Sequence, residues 1–128
     1  LGITYVSGTN DNVTINFEID KVGYGGHLNL KDAQDVKFGF QYNTQMGTPI
    51  RGGLVYSTSP IPGISPISVF TFGTGKSIGH LQIDFGGTYR IQSFNYSDLF
   101  PVERDIRPDY DLVRDSRLQL QLAISYQF

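Results

Sequence analysis

Leu118-Gln119-Leu120-Gln121-Leu122-Ala123-Ile124-Ser125-Tyr126-Gln127-Phe128 alternates at every step between a large apolar side chain and a small or polar one. Successive side chains of an extended strand face opposite sides of a sheet. Leu118, Leu120, Leu122, Ile124, Tyr126 and Phe128 therefore share one face, and Arg117, Gln119, Gln121, Ser125 and Gln127 share the other. A strand of this kind suits a half-buried antiparallel sheet as well as a sheet with lipid on one side. The rest of the chain has to separate the two.

The period of two recurs upstream. From His80 to Gln92, Leu81, Ile83, Phe85, Tyr89 and Ile91 alternate with Gln82, Asp84, Thr88, Arg90 and Gln92. Phe70 and Phe72 alternate with Val69, Thr71 and Gly73, and Ile50, Leu54 and Tyr56 with Arg51, Gly53 and Val55. Val36, Phe38, Phe40 and Tyr42 alternate with Lys37, Gly39 and Gln41, and Val13, Ile15, Phe17 and Ile19 with Thr14, Asn16, Glu18 and Asp20. Leu1, Ile3 and Tyr5 mark a seventh strand. No long stretch fits a 3.6-residue period, so the expected fold is all-β, antiparallel and up-and-down.

The connections sort into two classes. Residues 7–11, 43–49 and 75–79 are short and rich in turn formers, whereas 20–35, 57–67 and 93–116 are longer, and the two classes alternate strictly along the chain. Short periplasmic turns and longer extracellular loops are the arrangement of a transmembrane β-barrel of the outer membrane. On that reading the last strand descends and Phe128 is periplasmic. Tyr5, Tyr42 and Tyr126 then sit near the short-turn ends, and Tyr56 and Phe94 near the long-loop ends, where aromatic rings occupy membrane interfaces. In an up-and-down sheet strands one and seven run parallel, and single-chain bacterial barrels have even strand numbers, so the expectation is a segment of a larger barrel that lacks its N-terminal part. Leu1-Gly2-Ile3-Thr4-Tyr5 reads as strand rather than signal peptide, which fits a processed or truncated exported chain.

Composition agrees. The 128 residues hold 15 Gly, 8 Tyr and 9 Phe, with no Cys, which suits one β-rich domain and removes disulfides, thiol nucleophiles and thiolate metal sites. A net charge of -2 without a basic run argues against nucleic acid as a partner. No run approaches the roughly 20 apolar residues of a membrane helix. The mean hydropathy of -0.19 looks soluble, yet a membrane barrel reads the same because half of each strand faces a polar lumen.

Motifs for catalysis are sparse. Gly73-Thr74-Gly75-Lys76-Ser77 lacks the first glycine of a phosphate-binding loop, since position 70 is Phe, and is read as a tight turn. His27 and His80 have no carboxylate or second His at ligand spacing, and no serine sits in a nucleophile elbow, so neither metal, cofactor nor enzymatic activity is expected. Lys37, Arg51 and Arg90 share the polar face with Glu18 and Asp84. They are candidate lumenal residues, either salt-bridged to one another or holding a ligand carboxylate. Segment 93–116 carries Asp98, Glu103, Asp105, Asp109, Asp111 and Asp115 against Arg104, Arg107 and Arg114. It reads as a solvated loop, an entry rim, or a contact to lipopolysaccharide through divalent ions.

Residues 35–128 resemble the C-terminal part of the outer-membrane long-chain fatty acid and aromatic hydrocarbon transporter family, the FadL-like proteins. Val36-Lys37-Phe38-Gly39-Phe40-Gln41-Tyr42 is similar to one of that family's strands. Pro49-Ile50-Arg51-Gly52-Gly53-Leu54-Val55-Tyr56 is similar to the next, and Ser57-Thr58-Ser59-Pro60-Ile61-Pro62 to the loop that follows it. Gly63-Ile64-Ser65-Pro66-Ile67-Ser68 departs from the family in being neutral, and the barrel of the type IX secretion shuttle is a sister possibility. The resemblance implies about 14 strands and passive uptake of hydrophobic molecules such as long-chain fatty acids, with plug and gate upstream of Leu1. Leu122, Ile124, Tyr126 and Phe128 resemble the terminal signal read by the barrel assembly machinery. The partners implied are outer-membrane lipid and lipopolysaccharide, that machinery and a hydrophobic small molecule. A structural barrel, a secretion-system component and a soluble ligand-binding β-barrel stay open beside it.

Overall fold

Alternation of apolar and polar residues builds a single antiparallel sheet. The computed structural model describes residues 1–7, 12–24, 30–97 and 110–127. Its strands are β1 (Gly2–Ser7), β2 (Asn12–Val22), β3 (Ala33–Asn43), β4 (Pro49–Ser57), β5 (Ile64–Ile78), β6 (Leu81–Ser97) and β7 (Tyr110–Tyr126). Each is hydrogen-bonded to its sequence neighbour, in the order β1 to β7, and among the described residues there is no helix. The sheet is open at β1 and β7.

Several strands run further than their alternation indicates. Gly73-Thr74-Gly75-Lys76-Ser77 lies inside β5 rather than in a turn, and the chain reverses at Gly79 and His80 alone, because Ile78 pairs with Leu81. Gly79 takes a φ of 60°, a left-handed value that lets a two-residue turn match the twist of its flanking strands. β6 and β7 invade the expected loop 93–116 from both sides. Ser93, Asn95, Arg114 and Ser116 put polar residues on the otherwise apolar face there, which hides the period of two. Connections on one side thus span residues 8–11, 44–48 and 79–80, and those on the other span 23–32, 58–63 and 98–109. The sorting into short and long survives.

Register makes the two faces continuous across all seven strands, since directly opposed residues point the same way. Ile3, Phe17, Phe38, Leu54, Phe70, Tyr89 and Leu118 form one apolar row running from β1 to β7. Glu18, Lys37, Val55, Val69, Arg90 and Arg117 form a row of the opposite face. On β6 the apolar stretch runs from Leu81 to Ile91, and Ser93 ends it. Ten steps of about 3.4 Å make this stretch about 34 Å long.

No described residue covers the apolar face. Among the described residues no hydrophobic side chain is buried. The accessible surface is 10024 Å², whereas a self-contained protein of 14.3 kDa exposes about 6,800 Å². Packing between strands is achieved within the face itself. Phe40, Gly52, Phe72, Gly87 and Leu120 lie side by side in one row. A Cβ at Gly52 would strike the Phe40 ring, and one at Gly87 would strike the Phe72 ring and approach Leu120 Cδ2 at 2.9 Å. The glycines leave the space into which neighbouring rings lie.

Candidate functional site

The polar face holds the ionisable side chains that alternation assigned to it. Lys37 on β3 lies opposite Glu18 on β2, and its Nζ donates to Glu18 Oε1 at 2.8 Å and to Asp20 Oδ2 at 2.9 Å. One ammonium thus bridges two carboxylates, and a third acidic residue, Asp35, lies opposite Asp20 on the same face. Arg51 on β4 donates from Nε to Gln41 Oε1 at 3.0 Å, and Gln41 Nε2 donates to Asn43 Oδ1 at 3.0 Å. Asp84 on β6 accepts from Gln82 Nε2 at 2.7 Å, and its carboxylate leans over Gly75, the one buried residue among those described. Arg51 and Asp84 line one recess of about 360 Å³ together with Gln82 and Gln121, without an ion pair between them.

Arg90 donates from its guanidinium to Gln92 Oε1 at 3.0 Å and stands directly opposite Arg117. Like charges in opposed positions repel, so this pair costs stability unless water or a counter-anion lies between them. Lys37 and Arg90 sit in the same row, separated by Val55 and Val69 across three strand spacings, roughly 14 Å. The five residues grouped from the sequence therefore share a face but form three separate sets. Asp20, Gln41, Gln82, Gln92 and Arg117 complete those sets. Alternation places each of them on this face; Gln82 and Gln92 meet Asp84 and Arg90 two residues along their own strand, whereas for Asp20, Gln41 and Arg117 alternation does not say which strand position lies opposite.

Lys37→Met is expected to lower the urea midpoint, because Glu18, Asp20 and Asp35 would face one another without a cation. Adding Glu18→Gln and Asp20→Asn should recover most of the loss. If the triple variant unfolds as early as Lys37→Met, the aliphatic stem of Lys37 rather than its charge is what matters.

A third ion pair joins Lys21 Nζ, near the end of β2, to Asp32 Oδ2 at 2.8 Å. The hydrogen bond from Lys21, its positive charge and the Tyr24 amide hold the Asp32 carboxyl below its ordinary pKa of 3.8. Lys21 belongs to the apolar face, as do Lys76 and Arg114. These three are the charged strand residues of that face among those described. All are cations near strand ends, where a long stem reaches past apolar surface to water.

Tyr5, Tyr42, Tyr56 and Tyr126 occupy the apolar face at the strand ends where the sequence placed them. Phe94 does not. It lies on the polar face opposite Val113, and Tyr110 holds the long-loop end of the apolar face instead. Leu122 and Ile124 are exposed on β7 beside Phe85 and Ile83. Phe128, His27 and residues 98–109, with most of the acidic segment, lie outside the described residues. Among those described, no group of three or more His, Asp or Glu side chains is arranged to hold a metal ion.

Comparison with protein-family models, curated proteins and solved structures finds no match to this chain.

Proposed function

We propose that this sheet is part of a transmembrane β-barrel of the bacterial outer membrane and that the barrel mediates passive uptake of hydrophobic molecules such as long-chain fatty acids. The observation that carries the first half is the uncovered apolar face, continuous over seven strands. At the tilt of about 40° that such barrels have, its stretch of about 34 Å would stand roughly 26 Å tall, which is compatible with their apolar belt of about 25 Å. Three loops long on one side and three short on the other support the same topology. Residue size supports the curvature. Gly39, Gly53, Gly73, Gly75 and Gly86 fall on the polar face, while the phenylalanines of β3 and β5 fall on the other. A sheet bends toward its smaller side chains, which puts polar groups in the lumen and aromatic rings outside. A soluble barrel with an apolar interior requires the opposite curvature.

β1 and β7 run in the same direction, so antiparallel closure takes an odd number of further strands. Two copies related by an axis along the barrel would meet through parallel seams, which does not restore the antiparallel ladder. Further strands of different sequence, seven for a barrel of the fatty acid transporter kind, fit the parity. Uptake follows from the resemblance together with the lumenal row. Val55 and Val69 lie beside the opposed Arg90 and Arg117, which no described carboxylate pairs with, and this apolar patch with positive charge at one end suits an amphipathic carboxylate passing along the wall; Lys37 at the other end is held by Glu18 and Asp20.

Uptake of labelled oleate by cells carrying the full-length gene or an empty vector tests the activity, and fractionation of the same cells tests the location. Faster uptake with the protein in the outer membrane is the expected result. Outer-membrane location without a difference in uptake would assign the barrel a structural or secretion role, and a soluble protein would reject the barrel itself.

A further inference from the structure

The apolar face is not uniform. Around Gly52 the rings of Phe38, Phe40, Phe70 and Phe72 wall a groove of about 510 Å³, open to the outside and floored by β4, where the Phe40 ring leans over the Gly52 backbone. Phe38 and Phe40 lie on one flank and Phe70 and Phe72 on the other, all four exposed by more than two fifths. Ile50 closes the floor toward the short-turn end and lies opposite Thr74. Two residues beyond Thr74 on the same face of β5 stands Lys76. It lines the adjoining apolar recess beside Ile78, Ile83 and Phe85, and no polar group among the described residues pairs with its ammonium. It is also the one charged residue on the short-turn half of this face among those described.

We infer that this groove binds a phosphate-bearing diacyl lipid, with the phosphate on Lys76 and one acyl chain lying over Gly52 between the phenylalanines. The inference rests on the reading of the apolar face as lipid-facing. Dimensions favour it. From Lys76 to Phe70 is six strand steps, about 20 Å, which at a tilt near 40° spans about 15 Å of membrane depth. That is half of a hydrocarbon core of about 30 Å, the depth of one leaflet. Charge favours it too, because a lone cation where apolar surface ends meets a lipid phosphate at the head-group level. The short-turn end is periplasmic in the proposed topology, and phospholipid forms that leaflet. The Phe40 ring lies down over the Gly52 backbone, which leaves a trough between the flanking rings rather than a ridge, and flat ring faces pack along methylene groups without demanding one chain conformation.

Native mass spectrometry of the full-length protein refolded in zwitterionic detergent is the test. It would be given dioleoyl phosphatidylglycerol or, in parallel, dioleoylglycerol, which has the same chains and no phosphate. Preferential retention of phosphatidylglycerol is expected, and Lys76→Gln should weaken it about fivefold. Lys21→Gln, which removes a cation from the other end of the same face, should leave it unchanged. Equal retention of the two lipids, equal loss in both variants, or a preference for lipopolysaccharide over phosphatidylglycerol would each overturn the assignment. A chain that stays in solution without entering micelles would reject the lipid-facing reading itself, a separate outcome.

Discussion

Leu122→Arg is expected to destabilise the folded protein by about 2–4 kcal/mol, while Gln121→Arg one residue earlier leaves it nearly unchanged. The two positions are adjacent on β7 and face opposite sides of the sheet. Leu122 lies opposite Phe85 with Ile83, Ile124 and Leu120 around it, near the middle of the apolar band. It is 65% exposed, so a guanidinium there meets no steric obstacle. In water such a substitution would be tolerated. In a bilayer the charge must either stay in hydrocarbon or distort the lipid to reach the interface, and that cost depends on depth. Gln121 lies opposite Gly86 on the face that already carries Asp84, Arg51 and Arg117, where another guanidinium remains hydrated. Urea titration of both variants in phosphatidylcholine vesicles, followed by tyrosine fluorescence, measures the difference. Equal midpoints would mean that lipid does not contact this face, and would remove the main support for the membrane barrel.

Much of the sheet was legible because alternation is a local property. Leu118 to Tyr126 and Leu81 to Ile91 could be assigned to a face without knowing their neighbours, and the sorting of the connections followed from turn residues. Strand ends were harder to read. Ser93, Asn95 and Arg114 extend strands whose outer face turns polar beyond the apolar band, so hydropathy stops before the hydrogen bonding does. Phe94 was misplaced by the same effect, since counting from a misjudged strand end says nothing about its side of the sheet. Pairing was the least legible. Lys37 is held by Asp20 as well as Glu18 because β2 and β3 align Glu18 with Lys37, and Arg90 faces Arg117 because β6 and β7 align those two. Register between strands is set by the whole ladder and its turns, and no single strand encodes it.

Gly87→Leu should cost about 1–3 kcal/mol although it adds apolar surface to an apolar face. Hydrophobicity alone predicts a gain, so the sign of the effect tests the packing. The Phe72 ring lies across the Gly87 backbone, close enough that a new Cβ would overlap it, and Leu120 Cδ2 approaches from the other side at 2.9 Å. Neither side chain can keep its place. Phe72 also packs against Phe85, with ring centroids 5.9 Å apart and planes inclined by 50°, an arrangement worth about 0.5–1.5 kcal/mol that a rotated ring gives up. Gly39, on the polar face, is the control for losing a strand glycine where no side chain lies over it. A Cβ there finds nothing nearer than the Gly52 carbonyl oxygen at 3.9 Å, so Gly39→Ala should be close to neutral. Removing the obstacle should rescue the larger change: in the Gly87→Leu/Phe72→Ala double variant the new leucine fills the space the ring vacated, and the combined loss should fall short of the sum of the single losses. Additive losses in the same urea titration would show that Phe72 does not lie over Gly87, and with it would go the interlocked row that runs from Phe40 to Leu120.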